Sequence, residues 1–278
     1  MLDRDFGFIQ GRLSPVVDGK IQAFPWDHWQ KEFYLSKELG LKTIEWTLDY
    51  DRLYENPLLT KKGQREIEQL SRETGLSLYS LTGDFFMQAP FFKEKSDPET
   101  KQKYLNDLRS VLEACGKLGI SIIVLPLVDH SSVTNEDEED LLVEECQKLT
   151  PVLKALNLRI AFESDYQPEK LLHLINRFDA DYFGINYDIG NSASLGYDPE
   201  KEIETYGHRI INVHIKDRVL NGTTVPLGEG SANFQKVFDQ LKLKEYPGKL
   251  IFQTARAREG NHCEALEGYR NFVCRYLD

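Results

Sequence analysis

The sequence predicts an α/β protein built as one (β/α)8 barrel, a closed parallel sheet ringed by helices. Three observations carry the prediction. Short apolar, β-branched runs alternate with longer amphipathic ones along the chain; the short runs number eight; and the length of 278 residues is near the roughly 250 of a single barrel of this kind. Strand–helix alternation implies a parallel sheet, and eight units suggest its closure. An open doubly wound sheet is the alternative, but no GxGxxG follows the first strand to support it. No Pro/Gly/Ser-rich linker divides the chain, so residues 1–278 read as one domain.

In chain order the strands are FGFIQ (6–10), KTIEW (42–46), LSLYSLT (76–82), SIIVLPL (121–127), LRIAFE (158–163), YFGINYD (182–188), IINVHI (210–215) and KLIFQ (249–253). Between them HWQKEFYLSKELG, KKGQREIEQLSRETG, PETKQKYLNDLRSVLEACGKLG and DEEDLLVEECQKLTPVLKALN carry apolar residues at steps of three and four, as a helix with one buried face does. Gly40, Gly75, Gly119 and Asn157 stand where helix C-caps are expected, just before the next strand. The acidic run NEDEED (135–140) opens a helix, where carboxylates meet the positive end of the helix dipole and stay solvated.

Composition narrows the function classes. A hydrophobic fraction of 41% and a charged fraction of 28% describe an ordinary globular protein. A net charge of −11 disfavours a protein that grips nucleic-acid backbones, which takes Lys and Arg in excess; a small anionic substrate needs only one or two local cations. No run approaches the ~20 apolar residues of a membrane span, and MLDRDFGFIQ does not read as a signal peptide. Cys115, Cys146, Cys263 and Cys274 form no CxxC pair, so reduced thiols and a cytoplasmic protein are expected.

In such a barrel the chemistry gathers where the strands end. Strand five ends in Glu163, strand six in Asp188, strand seven carries His214 and strand eight ends in Gln253. Singly, each has an ordinary explanation: a cap, an ion-pair partner, a satisfied core histidine. Together, four consecutive strands send two carboxylates, an imidazole and an amide oxygen to one mouth. Two buried acids without compensation are costly, and a divalent cation compensates them. Mixed O/N ligation suits Mn, Zn, Co, Fe or Mg.

With these residues in view the chain resembles the xylose isomerase-like TIM barrels: sugar and sugar-phosphate isomerases and epimerases, inosose dehydratases and, more distantly, endonuclease IV. The likeness covers nearly the whole chain. Its most specific stretch is HIKDRVLNGTTVPLGEGSANF, in which H-x-K-D-R is followed by a turn and P-L-G-E-G before a helix. The resemblance implies that Glu163, Asp188 and His214 are metal ligands and that Gln253 holds the fourth position, commonly Glu in the family. It also implies substrate contacts at Asn191, where family members often have His, and at Arg218. Other strand ends offer Gln10, Arg12, Glu45, Thr82, Asp84 and His130, for which structural readings compete: an inward acid for Glu45, a turn cap for Asp84. Lys216 and Asp217 read equally well as a pair that orients His214. Arg12, Arg256 and Arg258 are either phosphate contacts or surface ion-pair partners, for instance of Glu259.

For mechanism, the resemblance implies proton transfer next to a metal-polarised carbonyl through an enediolate, with two Glu bases in the epimerases. An amide cannot take a proton near neutral pH, so Gln253 disfavours a two-base epimerisation unless Asp84, Glu45 or His130 substitutes. The expectation is a metal-dependent isomerase, or epimerase, of a small sugar or sugar phosphate, with Glu163 as ligand and base. The alternatives are an inosose-type dehydratase, with His130 or Asp217 as acid, and a non-catalytic sugar-binding barrel. An endonuclease IV-like phosphodiesterase is disfavoured by six histidines in all and by the acidic balance. A homodimer or homotetramer is compatible with the fold.

Overall fold

A computed structural model of the protein describes residues 5–93, 97–257 and 260–277. Eight parallel strands close into a barrel: β1 (Gly7–Ile9), β2 (Thr43–Thr47), β3 (Ser77–Thr82), β4 (Ile122–Leu127), β5 (Arg159–Ser164), β6 (Phe183–Asp188), β7 (Ile210–Ile215) and β10 (Leu250–Phe252). A small antiparallel hairpin, β8 (Asp217–Arg218) with β9 (Thr224–Val225), rises just beyond β7 within the stretch read from sequence as a turn. Each barrel strand falls within a residue or two of its expected run, and Gln253 lies one residue past the end of β10.

Major helices span Trp29–Glu38, Lys61–Thr74, Pro98–Lys117, Glu136–Leu156, Pro168–Ile175, Pro199–Tyr206, Phe234–Leu243 and His262–Cys274. Their ends follow local chemistry. Thr60, Asp97 and Asn135 side chains accept from backbone N–H groups of the first turn. Gly75 and Asn157 close their helices in the left-handed conformation. No helix among the described residues is long and apolar enough to cross a membrane. The four cysteines are free thiols, and burial pushes the Cys115 and Cys146 thiols up, so they act as small hydrophobes.

The main apolar core joins strands to the surrounding helices, with Trp46, Phe33, Phe162 and Phe238 among its large buried side chains. A separate small cluster contains Ile122, Val124 and Ala161, with Tyr79 and Ile211 packed against it. Ala161 stands two residues before Glu163 and so shares its face of β5: apolar filling gives way to polar groups toward the strand ends. Two register shifts interrupt the ladders, at Ile44/Glu45 between β2 and β3 and at Ile185/Asn186 between β6 and β7. Such irregularities re-aim side chains, and both occur at buried polar residues of the site.

Candidate metal and substrate site

Glu163, Asp188 and His214 come together at the mouth, each buried, with one ligand atom apiece within 4.8 Å of the others. Asp188 and His214 are direct register partners on β6 and β7. His214 Nδ1 lies 3.4 Å from Glu163 Oε2 and 3.9 Å from Asp188 Oδ2, so this nitrogen faces the acids. Nε2 points the other way, 2.8 Å from Glu45 Oε1, a charge contact whose geometry is not a hydrogen bond's. Glu45 therefore holds the far side of the ring, as carboxylates behind metal-binding histidines do.

Beneath these groups is a polar layer. Asn186 Nδ2 donates to Glu163 Oε2 at 2.7 Å and lies 3.1 Å from His214 Nδ1. Asn212 Nδ2 donates to Asn186 Oδ1 and Glu45 Oε2, and Ser80 Oγ donates to Glu45 Oε2 at 2.6 Å. The sequence reading passed over Asn186 and Asn212, although each stands two residues before a candidate ligand, on the same strand face.

The expected pairing of Lys216 with Asp217 gives way to a different arrangement. Lys216 Nζ contacts Asp188 Oδ2 (3.2 Å), Asn191 Oδ1 (3.1 Å) and Gln253 Oε1 (3.2 Å), placing an ammonium at the Gln253 corner. Asp217 turns away and accepts from the N–H groups of Gly228, Gly230 and Ala232, which folds the PLGEGSA loop around it. Gly190 makes room for Lys216: a Cβ there would stand 2.7 Å from Lys216 Cγ and 3.0 Å from its carbonyl carbon.

Asp188 Oδ1 accepts from Asn191 N–H and caps the short helix Ile189–Leu195, leaving Oδ2 for the site. Asn191 Nδ2 donates to Glu163 Oε1 at 2.5 Å. Arg218 donates from Nη1 to Asn191 Oδ1 and from Nε and Nη2 to Gly222 O. Burial opposes charge on Glu163, but His214, Lys216 and Asn186 outweigh it and hold this carboxyl below its usual range. Asp188 is pushed up by burial and by Glu163, against Lys216 and His214. Burial disfavours the His214 imidazolium, yet Glu45 and Glu163 raise its pKa to about 10. Three acids around one imidazole thus make a centre that attracts positive charge, and with donor atoms this close the residues fit a divalent cation.

The cluster opens into a cavity of about 790 Å3, a size that suits a small ligand, whose lining includes Arg12, Asp84, Glu163, Asn191, Lys216, Arg218 and Gln253. His130 is exposed and lies outside the lining, whereas its neighbour Asp129 is in it. Asp84 stands at the start of the short helix Phe85–Gln88 without capping it.

Arg12 and Arg256 are not surface ion-pair partners. Arg12 is buried and donates from Nε to Thr254 O at 2.7 Å and from Nη1 to Ile21 O at 3.1 Å. Arg256 donates to Gly11 O and to Ser14 O. Glu32, wholly buried, completes this brace by accepting from Gly11 and Leu13 N–H, and burial raises its pKa to about 7. Arg258 and Glu259 lie outside the described residues.

Comparison with known proteins agrees with the barrel fold. A sequence model for the xylose isomerase-like TIM barrel matches residues 33–272. L-ribulose-5-phosphate 3-epimerase UlaE of Salmonella heidelberg (strain SL476) is 24% identical over 253 residues, 88% of each chain; UlaE of Escherichia coli (strain K12 / DH10B) is 26% identical over 238 residues, 81% of each. Among solved structures, D-psicose 3-epimerase from Clostridium cellulolyticum H10, with D-tagatose, superposes with a TM-score of 0.77 at 13% identity over 99% of both chains. The IOLI protein with a binding zinc atom gives 0.76 at 17% identity over 98% of both. At these identities the superpositions speak for the fold.

Proposed function

The chain belongs to the xylose isomerase-like TIM barrel family, whose curated relatives here are sugar epimerases and so isomerase-class enzymes, and on that premise we propose that it moves a proton on the carbon next to the carbonyl of a small sugar. Glu163, Asp188 and His214 would hold a divalent metal, with Gln253 Oε1 as fourth donor. When bound, the ion supplies a Lewis acid that polarises a carbonyl. Glu163 is the proton acceptor: its carboxyl is held ionised, it lines the cavity, and two asparagine amides fix its orientation. Lys216 adds a positive charge for the oxygen that becomes negative as the proton leaves.

The observation that carries this reading is a buried acid–acid–imidazole cluster whose Glu163, oriented by two asparagine amides, lines the cavity. Because Gln253 takes no proton, a one-base isomerisation fits the residues best. A 3-epimerisation is the second reading, favoured by the names of the relatives. It requires a second proton carrier, and the Lys216 ammonium, 3.2 Å from Gln253 Oε1, is the candidate for it.

The test is incubation of the metal-loaded protein in D2O with five- and six-carbon aldoses, ketoses and their phosphate esters. The expected result is deuterium at the carbon next to the carbonyl, with exchange slowed about 10²–10⁴-fold in Glu163→Gln. An aldose–ketose pair marks the first reading and a C3 epimer the second. No exchange with any sugar would sink both.

A further inference from the structure

The mouth of the barrel is divided by charge. Asp84, Asp129 and Asp165 follow three successive strands, β3, β4 and β5, and all line the cavity. Among the described residues the Asp84 and Asp129 carboxylates accept no hydrogen bond, and Asp165 accepts one, from Ser132 Oγ at 2.9 Å. The acids feel one another: burial, then Asp49, hold the Asp84 carboxyl up, Asp129 adds to this, and the exposed Lys20 opposes it.

The cations of the opposite side are already held by the protein's own groups. Arg12 serves the backbone at Thr254 and Ile21, Arg218 serves Gly222 and Asn191, and Lys216 serves Asp188, Asn191 and Gln253. Arg12 withdrawn to meet a ligand would leave the buried Thr254 carbonyl unsatisfied, and Arg218 would give up its partly buried bonds to Gly222 O. Glu163 and Asp188 offset the charge of a divalent ion, so the ion brings no surplus positive charge to the rim.

Resting on the isomerase-class reading above, we propose that this cavity takes an uncharged polyhydroxy sugar and rejects its phosphate ester, with Asp84, Asp129 and Asp165 accepting hydrogen bonds from sugar hydroxyls. A phosphate monoester brings a charge of about −1.5 to −2 to a rim that already carries three carboxylates, and it needs donors that are committed elsewhere. A hydroxyl needs no counter-charge and donates well to a carboxylate. The cavity, at about 790 Å3, is roomy enough for a phosphorylated pentose, so the selection is electrostatic rather than steric.

The test uses the metal-loaded protein and matched pairs: L-ribulose with L-ribulose 5-phosphate, and D-psicose with D-psicose 6-phosphate, read by calorimetric Kd and by KM. We expect the free sugar of at least one pair to bind about 10-fold or more tighter than its ester, and Asp84→Asn combined with Asp129→Asn to shrink that preference several-fold by admitting the ester. Esters that bind as tightly as the free sugars, or a preference that the double variant leaves unchanged, would overturn the assignment. An ester preferred and turned over overturns this inference alone; failure of every sugar to bind or react overturns the isomerase-class reading with it.

Discussion

Two parts of the barrel mouth both hold buried charge and use it differently. On the β10–β1 side, Arg12, Arg256 and Glu32 spend their hydrogen bonds mainly on the backbone, at Thr254, Ile21, Gly11, Leu13 and Ser14, with one long contact from Arg12 to the Gln22 side chain. On the β5–β6–β7 side, Glu163, Asp188 and His214 are oriented mainly by side chains, from Asn186, Asn191, Lys216 and Glu45, and their ligand atoms converge. Charge tied to main chain fixes the shape of a loop. Charge held by other side chains keeps lone pairs directed at one point, where a cation or a substrate can meet them.

The comparison breaks most easily at Arg12. Arg12→Ala strips donors from the buried Thr254 carbonyl and the partly buried bond to Ile21 O and should lower stability by about 3 kcal/mol, seen in denaturant midpoints, while calorimetric metal affinity stays unchanged. A loss of metal affinity equal to that of a ligand variant would erase the distinction between the two sides. Glu45→Gln sharpens the contrast from the other side. It removes the charge behind His214 and should weaken metal binding about 10–100-fold with a smaller change in midpoint.

The third effect is a pH slope, at most about tenfold for each unit. In the metal-free protein His214 holds its proton up to about 10, above its ordinary 6.5, so the stabilisation from that charged ring is complete below 6.5 and is lost as pH climbs through about 10. A metal ion must displace the same proton. Its apparent affinity should therefore rise with pH, by up to about tenfold per unit between roughly pH 7 and 9, with proton release measurable in buffers of different ionisation enthalpy. A flat profile would mean that His214 enters the complex without losing a proton and is not a ligand.

Much of this architecture is readable from residues alone. Period-two apolar runs at YFGINYD and IINVHI place Asp188 and His214 on strands, and the helix caps at Gly75 and Asn157 separate one βα unit from the next. Asn186 and Asn212 were legible by the same two-residue spacing, but a lone Asn in a strand carries no chemistry until its neighbours are known. Glu45 shows the harder limit: its partner His214 is 169 positions away by sequence number (214 − 45), and a register shift at Ile44/Glu45 marks where it turns in.

The sequence by itself determined the eight βα units, the acid–acid–imidazole–amide order at the strand ends, and the inability of Gln253 to take a proton. These are properties of residue type and local periodicity. Only the tertiary structure decided that Arg12 and Arg256 brace loops, that Lys216 stands beside Gln253 rather than Asp217, and that Asp129 joins the cavity while His130 stays outside. The reason is physical. A long cationic side chain can reach several acceptors, and which of them it takes is fixed by barrel closure, which brings strands distant in sequence within hydrogen-bond range.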